Sequence, residues 1–128
     1  MIGIDPCREN LRDLSRAALP NLLFLVANAL ALPAALHGLA DCLTINFPWG
    51  SLLTCLLEGD PALLGGIQSL SQPGARLEIR LNVEAVGDLG LEVASEKTEA
   101  ALLQNGFRMR TRQILGPAEL KAYPSTWA

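Results

Sequence analysis

Short apolar runs alternate along the chain with segments in which apolar residues recur at helical spacing. Continuous apolar runs predict strands at residues 1–4, 22–26 and 42–46. The second run has the character of a parallel strand that is covered on both faces. Strict alternation of charged or polar residues with apolar residues predicts two further, half-exposed strands at residues 76–81 and 107–114.

Helices are predicted in the intervals between these strands. They are expected between Pro6 and Pro20 and at residues 33–36, 50–57, 61–70 and 96–103. Asp5 and Ser95 are favoured N-caps, and Pro6 occupies a first helical position. Leu11, Leu14 and Ala18 are spaced to form one buried face of the first helix. Gln72-Pro73-Gly74 predicts a turn, and the end of the chain from Gly116 is expected to be irregular or only briefly helical.

This repeated β-α order predicts the fold class. Strands that alternate with helices form a mostly parallel α/β sheet with helices on both faces. The chain contains 128 residues, half of them hydrophobic, which is enough for one domain with its own core. We therefore expect a single domain over residues 1–128.

The charge of the chain limits how it can bind nucleic acid. The formal net charge is -3, which argues against binding by bulk electrostatics but allows a local basic patch. Two arginine sets could contact phosphates: Arg108, Arg110 and Arg112 on one face of the last predicted strand, and Arg8, Arg12 and Arg16 on one helix face. A solvated charged face is the favoured alternative for each set.

The cysteines and the longest apolar stretch indicate the compartment. Cys7, Cys42 and Cys55 are far apart, and His37 is the only histidine, so the spacing disfavours both a zinc site and a disulfide framework. Buried free thiols in a reducing cytoplasm are expected. Residues 21–36 are fewer than the roughly 20 that span a bilayer, and no signal peptide is expected, so no membrane partner is expected.

Asp5 invites two interpretations. In nucleotide-binding α/β folds, an acidic residue at the end of the second strand binds the ribose hydroxyls, and a glycine-rich turn precedes it. Asp5 follows an apolar strand and opens a helix, but only four residues precede it. Either Asp5 is only a helix cap, or the first strand and its glycine-rich turn are absent from this chain.

The segment Asn46-Phe47-Pro48-Trp49-Gly50 lies between a predicted strand and a predicted helix. This is the carboxyl end of a strand, where open α/β sheets bind ligands. The segment resembles the fourth motif of adenine-modifying methyltransferases, which holds a base taken out of its stack. Aromatic faces can stack on such a base, and proline restricts the backbone beside them. The alternative is a loop in which Trp49 covers the sheet edge.

Five elements in order carry a closer resemblance. They are Ile2-Gly3-Ile4-Asp5-Pro6, Val26-Ala27-Asn28-Ala29 with Leu32-Pro33, Phe47-Pro48-Trp49-Gly50-Ser51-Leu52-Leu53, Asn105-Gly106-Phe107-Arg108 and Ser125-Thr126-Trp127-Ala128. Over essentially its whole length, the chain closely resembles the aminoglycoside-resistance methyltransferases that modify N1 of a decoding-site adenine in small-subunit rRNA. The resemblance implies a Rossmann-like class I methyltransferase sheet, mostly parallel and N-terminally truncated, and it implies S-adenosylmethionine as the cofactor.

The resemblance also implies site residues. Trp49 and Trp127 would sandwich the target adenine. Independently of the resemblance, the alternating Arg108, Arg110 and Arg112 are the expected RNA contacts. The cofactor set would be Asp5, Pro6, Asn28, Ala29, Leu30, Asn46, Ser51, Leu52 and Ser125. Two departures stand out: the family pattern has Glu where this chain has Leu30, and the glycine-rich loop and the C-terminal end are missing. We therefore expect the isolated chain to bind the cofactor weakly or not at all.

The chemistry that the resemblance implies suits these residues. Adenine N1 has a free lone pair, so methyl transfer needs alignment and a water-poor pocket more than a general base. The expected partner is the small ribosomal subunit with its rRNA, and a monomeric cytoplasmic enzyme that confers antibiotic resistance is expected. The alternative is a non-catalytic remnant of the fold that acts as a binding or interaction module.

Overall fold

The computed structural model describes residues 1–17, 20–93 and 95–122. Strands and helices alternate as the sequence predicts. In chain order they are β1 (Ile2–Asp5), α1 (Arg8–Arg16), β2 (Leu23–Val26), a 3₁₀ turn (Ala34–Leu36), β3 (Ala40–Asn46), α2 (Gly50–Glu58), α3 (Pro61–Leu70), β4 (Ser71–Arg80), α4 (Val83–Asp88), α5 (Glu96–Gln104) and α6 (Pro117–Leu120).

The strands pair in parallel, which confirms the predicted α/β class. β1 pairs with β2, and β3 pairs with β4. In the described residues these pairs form two separate two-stranded sheets rather than the single sheet that was expected. Periodicity identifies strands and their exposure, but it does not determine which strands share hydrogen bonds. The loop after β2 connects the two halves, because Ala29 packs against the core beneath β3 and β4.

The main core lies on one face of the β3–β4 sheet. Its buried residues come from three helices: Leu56, Leu63, Leu64, Ile67 and Leu102. The sheet contributes the inward-facing side chains of Leu43, Ile45, Leu77 and Ile79. A smaller cluster of Leu53, Leu57 and Val86 joins α2 to α4. In the described residues the helices therefore cover this sheet on one face, whereas helices were expected on both faces.

The opposite face of this sheet is polar. Cys42, Thr44 and Asn46 lie opposite Arg76, Glu78 and Arg80 in register. Exposed residues on β3 alternate with half-buried ones, as half-exposed strands require. On β4, Leu77 and Ile79 pack against the core while Arg76, Glu78 and Arg80 lie on the other face, so the predicted alternation of faces is confirmed.

Several predicted details are wrong. The turn Gln72-Pro73-Gly74 lies within β4, where residues 72–75 bulge between the pairs Ala40–Ser71 and Cys42–Arg76. Residues 107–114 form no strand, because alternation alone does not supply the neighbouring strand that must share the hydrogen bonds. The helix α4, with Asn82 as its N-cap, was not predicted.

Burial also differs from expectation in three places. β2 is not covered on both faces, since Leu23 is 62% exposed and Val26 is 52% exposed. In α1, Leu11 is buried but Leu14 is exposed, and Ala18 lies outside the described residues. Cys7 and Cys42 are exposed rather than buried, and Cys55 is half-buried. Within the described part of the chain, no helix is long and apolar enough to cross a membrane.

Candidate active site

A polar residue lies at or just after the carboxyl end of each of the four described strands. Asp5 ends β1, Asn28 follows β2, Asn46 ends β3 and Arg80 ends β4. Open α/β sheets bind their ligands outside these ends. The candidate site is therefore the region where the carboxyl ends of the two sheets come together.

Asp5 is not the N-cap of α1, which corrects the local prediction. The cap is Cys7, and the helix begins at Arg8. The carboxylate of Asp5 instead accepts a hydrogen bond from the backbone N–H of Cys7 at 2.7 Å. The Asn10 side chain donates to both carboxylate oxygens at 3.2 Å. Asp5 is thus held in place by the start of α1 without being part of it.

These contacts leave the carboxylate with accepting capacity. Within the described chain, Oδ1 receives donors from Cys7 and Asn10, whereas Oδ2 receives one from Asn10 alone. A carboxylate offers about four lone-pair positions, so Oδ2 can accept a hydroxyl. The neighbouring Glu9 has its pKa lowered, chiefly by the hydrogen bond from the Cys7 thiol and then by a backbone N–H. The Glu9 carboxyl at this corner therefore favours its ionised form.

The loop after β2 closes the next part of the site. Its backbone is tied to β1, since Ala27 N–H donates to the carbonyl of Asp5 at 3.2 Å. The side-chain oxygen of Asn28 accepts from the N–H of Leu30 at 2.9 Å, which folds the loop into a tight turn. The carbonyl of Ala29 then lies against α3, 3.7 Å from where a Cβ on Gly66 would stand.

Six of the predicted cofactor residues line one cavity. The cavity has a volume of about 100 Å³ and is lined by Pro6, Asn28, Ala29, Leu30, Ser51 and Leu52. These residues come from the end of β1, the loop after β2 and the first turn of α2. Ligand pockets typically measure ~300–1,000 Å³, so the cavity suits one ring of a cofactor rather than a whole molecule.

The segment after β3 is shaped by an unusual backbone conformation. Phe47 has a φ of 46°, in the left-handed region that non-glycine residues rarely adopt. Phe47 and Pro48 are buried, whereas Trp49 is 66% exposed and caps α2. Trp49 is therefore a projecting side chain rather than a buried cover for the sheet edge.

Asn46 does not line the cavity. Its side-chain oxygen accepts a hydrogen bond from Nη1 of Arg80, its partner in register on β4. Arg80 also forms an ion pair with Glu78, with an Nη2–Oε1 distance of 2.6 Å. The alternation on β4 predicts that Arg80 and Glu78 share a face, but only the register shows that this face meets Asn46. Asn10 was also missed, since no pattern distinguishes it from other polar residues on α1.

The remaining predicted residues fall into two groups. Ser125 and Trp127 lie outside the described residues. Arg108, Arg110 and Arg112 are exposed, but they lie in a segment with no regular secondary structure, so they do not share a strand face. Arg108 also lines a cavity of about 390 Å³ beside α5 that includes Glu96 and Glu99. Those carboxylates weaken its attraction for phosphate, which leaves Arg110 and Arg112 the better candidates.

The chain matches the model of a known family. Residues 1–128 match the family described as NpmA: 16S rRNA (adenine(1408)-N(1))-methyltransferase. A protein of that description from Escherichia coli is 31% identical over 147 aligned positions, which cover 99% of this chain and 67% of the relative.

Solved structures show the same fold. The antibiotic-resistance methyltransferase Kmr superposes with a TM-score of 0.78 at 37% identity, covering 89% of this chain and 68% of that one. A 16S rRNA (adenine(1408)-N(1))-methyltransferase variant from Catenulisporales acidiphilia was solved with cosubstrate SAM. It superposes with a TM-score of 0.76 at 28% identity, covering 86% of this chain and 58% of that one.

The chain is shorter than these relatives. It spans between 56% and 67% of the length of three curated relatives. The matched part includes the carboxyl ends of all four strands described above. The chain belongs to the NpmA family of 16S rRNA (adenine(1408)-N(1))-methyltransferases.

Proposed function

We propose that the protein transfers a methyl group from S-adenosylmethionine to N1 of a decoding-site adenine in small-subunit rRNA. The observation that supports this function best is the cavity that gathers Pro6, the turn after β2 and the start of α2. These residues come from three distant parts of the sequence, and each was implied as a cofactor contact by the family resemblance. Their convergence favours a built site over a chance motif match.

The described residues fit S-adenosylmethionine. The Asp5 carboxylate keeps accepting capacity on Oδ2, which suits a ribose hydroxyl. The small cavity beside it, with Ala29, Leu30 and Leu52 in its lining, suits a flat adenine ring. Ser51 adds a hydroxyl at the start of α2. In this proposal Asp5 and the cavity hold the adenosine part of the cofactor, and Ser125 completes the set.

Trp49 and Trp127 hold the target base in this proposal. Trp49 follows a buried Phe47-Pro48 pair yet is 66% exposed, so most of its side chain faces solvent, where a base can stack. Stacking of a base on an aromatic ring contributes about 1–3 kcal/mol. A base held between two such rings is fixed in angle and depth, which is what an in-line transfer requires.

The proposed reaction needs no general base. When bound, S-adenosylmethionine supplies a methyl group on a sulfonium, which a nitrogen lone pair can attack directly. The chain aligns N1 with that methyl group and excludes water around it. Methylation leaves the adenine cationic, and the facing indole rings stabilise this charge by about 0.5–2 kcal/mol. The methylated base is then released when it leaves its stacked position between Trp49 and Trp127.

The proposal assigns partners in the same way. Arg110 and Arg112, with Arg108 to a lesser degree, contact phosphates of the rRNA. The substrate is the intact small ribosomal subunit in the cytoplasm, where the enzyme acts as a monomer. In this proposal, methylation at N1 confers resistance to aminoglycosides.

Methyl transfer to intact small subunits tests the proposal. The protein expressed from its complete reading frame should incorporate labelled methyl groups into small subunits. Trp49→Ala and Trp127→Ala should each lower the rate by at least about 100-fold, the scale expected when a substrate is misplaced. Trp49→Phe serves as the matched control, because it keeps an aromatic face and should retain most activity. Full activity in Trp49→Ala would refute the stacking role.

A further inference from the structure

Arg80 ties the Trp49 loop, residues 46–49, to the end of β4 through its backbone and through its side chain. The backbone N–H of Phe47 donates to the carbonyl of Arg80 at 2.8 Å. The Arg80 guanidinium donates from Nη1 to the side-chain oxygen of Asn46. One residue of β4 therefore holds two consecutive residues of the loop, one through its backbone and one through its side chain.

The loop needs such anchors. Phe47 adopts a φ of 46°, and a non-glycine residue in a sparsely populated region costs about 1–3 kcal/mol. Such a conformation persists only where its surroundings determine it. Trp49 follows two residues later and is 66% exposed, so the conformation of the backbone that precedes it helps to set where its ring lies.

The guanidinium is itself fixed. Its second nitrogen, Nη2, lies 2.6 Å from a carboxylate oxygen of Glu78. The Arg80 side chain is only 18% exposed, which strengthens both interactions relative to a surface pair. The planar fork of arginine can engage Glu78 and Asn46 together, whereas a lysine ammonium cannot match this geometry.

We propose that Arg80 is a positioning residue for the target base. Its hydrogen bond to Asn46 fixes the loop that presents Trp49, and its ion pair with Glu78 holds the guanidinium in place. This inference rests on the proposed function for the role of Trp49. It also reassigns Asn46. The side-chain oxygen of Asn46 accepts a hydrogen bond from Arg80 on β4, so Asn46 holds the loop in position rather than binding the cofactor.

The mobility of the Trp49 ring tests this directly and does not depend on activity. The chain has two tryptophans, so Trp127→Phe leaves Trp49 as the only one. In that background we measure the time-resolved fluorescence anisotropy of Trp49. Arg80→Leu and Asn46→Ala should both increase the amplitude of the fast, local component. Arg80→Lys should give a smaller increase, because it keeps one donor but not the fork.

Arg76→Leu provides the matched control. Arg76 lies on the same strand and face and contacts Glu78 at 3.1 Å, but it is opposite Cys42 rather than Asn46. It should leave the anisotropy decay unchanged. If Arg80→Leu fails to fold by circular dichroism, Asn46→Ala decides, since that side chain is exposed. Equal anisotropy decays in Asn46→Ala and the parent would overturn the proposal.

Kinetics separate this inference from the proposed function. In the active protein, Asn46→Ala should lower kcat for small subunits roughly 10-fold while the KM for S-adenosylmethionine stays within about twofold, as expected for a misplaced target base. A protein that methylates nothing would refute the function, and the anisotropy would still report on Arg80. A rise in the cofactor KM with unchanged kcat would instead make Asn46 a cofactor ligand and refute the reassignment.

Discussion

Asn10 donates its side-chain amide to both oxygens of the Asp5 carboxylate, at 3.2 Å each. Asn10→Ala should therefore weaken S-adenosylmethionine binding about fivefold, since a hydrogen bond at this exposed position contributes about 1 kcal/mol. Alanine is a better helix former than asparagine, so a loss of affinity cannot be ascribed to a weaker α1. Calorimetric titration with up to millimolar cofactor gives the affinities.

Arg12→Ala is the control for this prediction. Arg12 lies on the same helix, whereas the side-chain donor that α1 supplies to the Asp5 carboxylate comes from Asn10. The Arg12 variant should bind the cofactor as the parent does. Asp5→Asn should weaken binding more than Asn10→Ala, because it removes the acceptor itself. Equal affinities for Asn10→Ala and the parent would mean that Asp5 needs no orientation.

The cavity beside Asp5 makes a steric prediction. Ser51→Leu should reduce cofactor affinity at least about tenfold, because extra methyl groups would occupy a space of about 100 Å³ and overpacking costs about 1–3 kcal/mol. Ser69→Leu is the matched control, since Ser69 is an exposed helical serine that does not line the cavity. The same titration compares both variants, and equal losses in the two would argue against the cavity as the site.

The surroundings of Asp5 and Asn46 show how much of the site can be predicted from the sequence. The sequence pattern predicts α3 with its observed bounds, and it places Asp5 and Asn46 each at the carboxyl end of a strand. Asp5 shows the limit. Local propensity favours it as a helix cap, but α1 begins only at Arg8, so the Asp5 carboxylate accepts from the Cys7 N–H and the Asn10 side chain instead. Likewise, alternation on β4 predicts an exposed charged face, while the register that places Arg80 against Asn46 depends on strand pairing.

The arginine-rich segment after α5 yields a prediction about RNA. Arg110→Ala with Arg112→Ala should weaken binding to small subunits and flatten its salt dependence, by roughly 0.7 in slope for each phosphate that the protein no longer neutralises. Filter binding over a range of salt concentrations measures this slope. Arg76→Ala is the control, because Arg76 is an exposed arginine whose charge is paired with Glu78 at 3.1 Å. An unchanged slope in the double variant would identify Arg110 and Arg112 as a solvated face.

Thr98 carries a stability prediction. Thr98 is 5% exposed, and its hydroxyl donates to the carbonyl of Leu57 at 2.6 Å, near the end of α2. Thr98→Val keeps the shape but leaves that carbonyl without this donor, so the free energy of unfolding should fall by about 1–2 kcal/mol. Urea denaturation followed by circular dichroism measures the change. Thr98→Ser retains the donor, so its free energy of unfolding should fall by less than that of Thr98→Val. A larger loss in Thr98→Ser would mean that packing, rather than the hydrogen bond, dominates.

The position of the transferred methyl group tests the central claim most directly. Reverse transcription on rRNA from treated small subunits stops at a base methylated on its Watson–Crick edge, and mass spectrometry of the digested nucleosides identifies the modified atom. We predict a single stop at the decoding-site adenine and 1-methyladenosine as the product, both lost in Trp49→Ala and retained in Trp49→Phe. A methyl group on another atom or another nucleotide, or an unchanged stop in Trp49→Ala, would contradict the account.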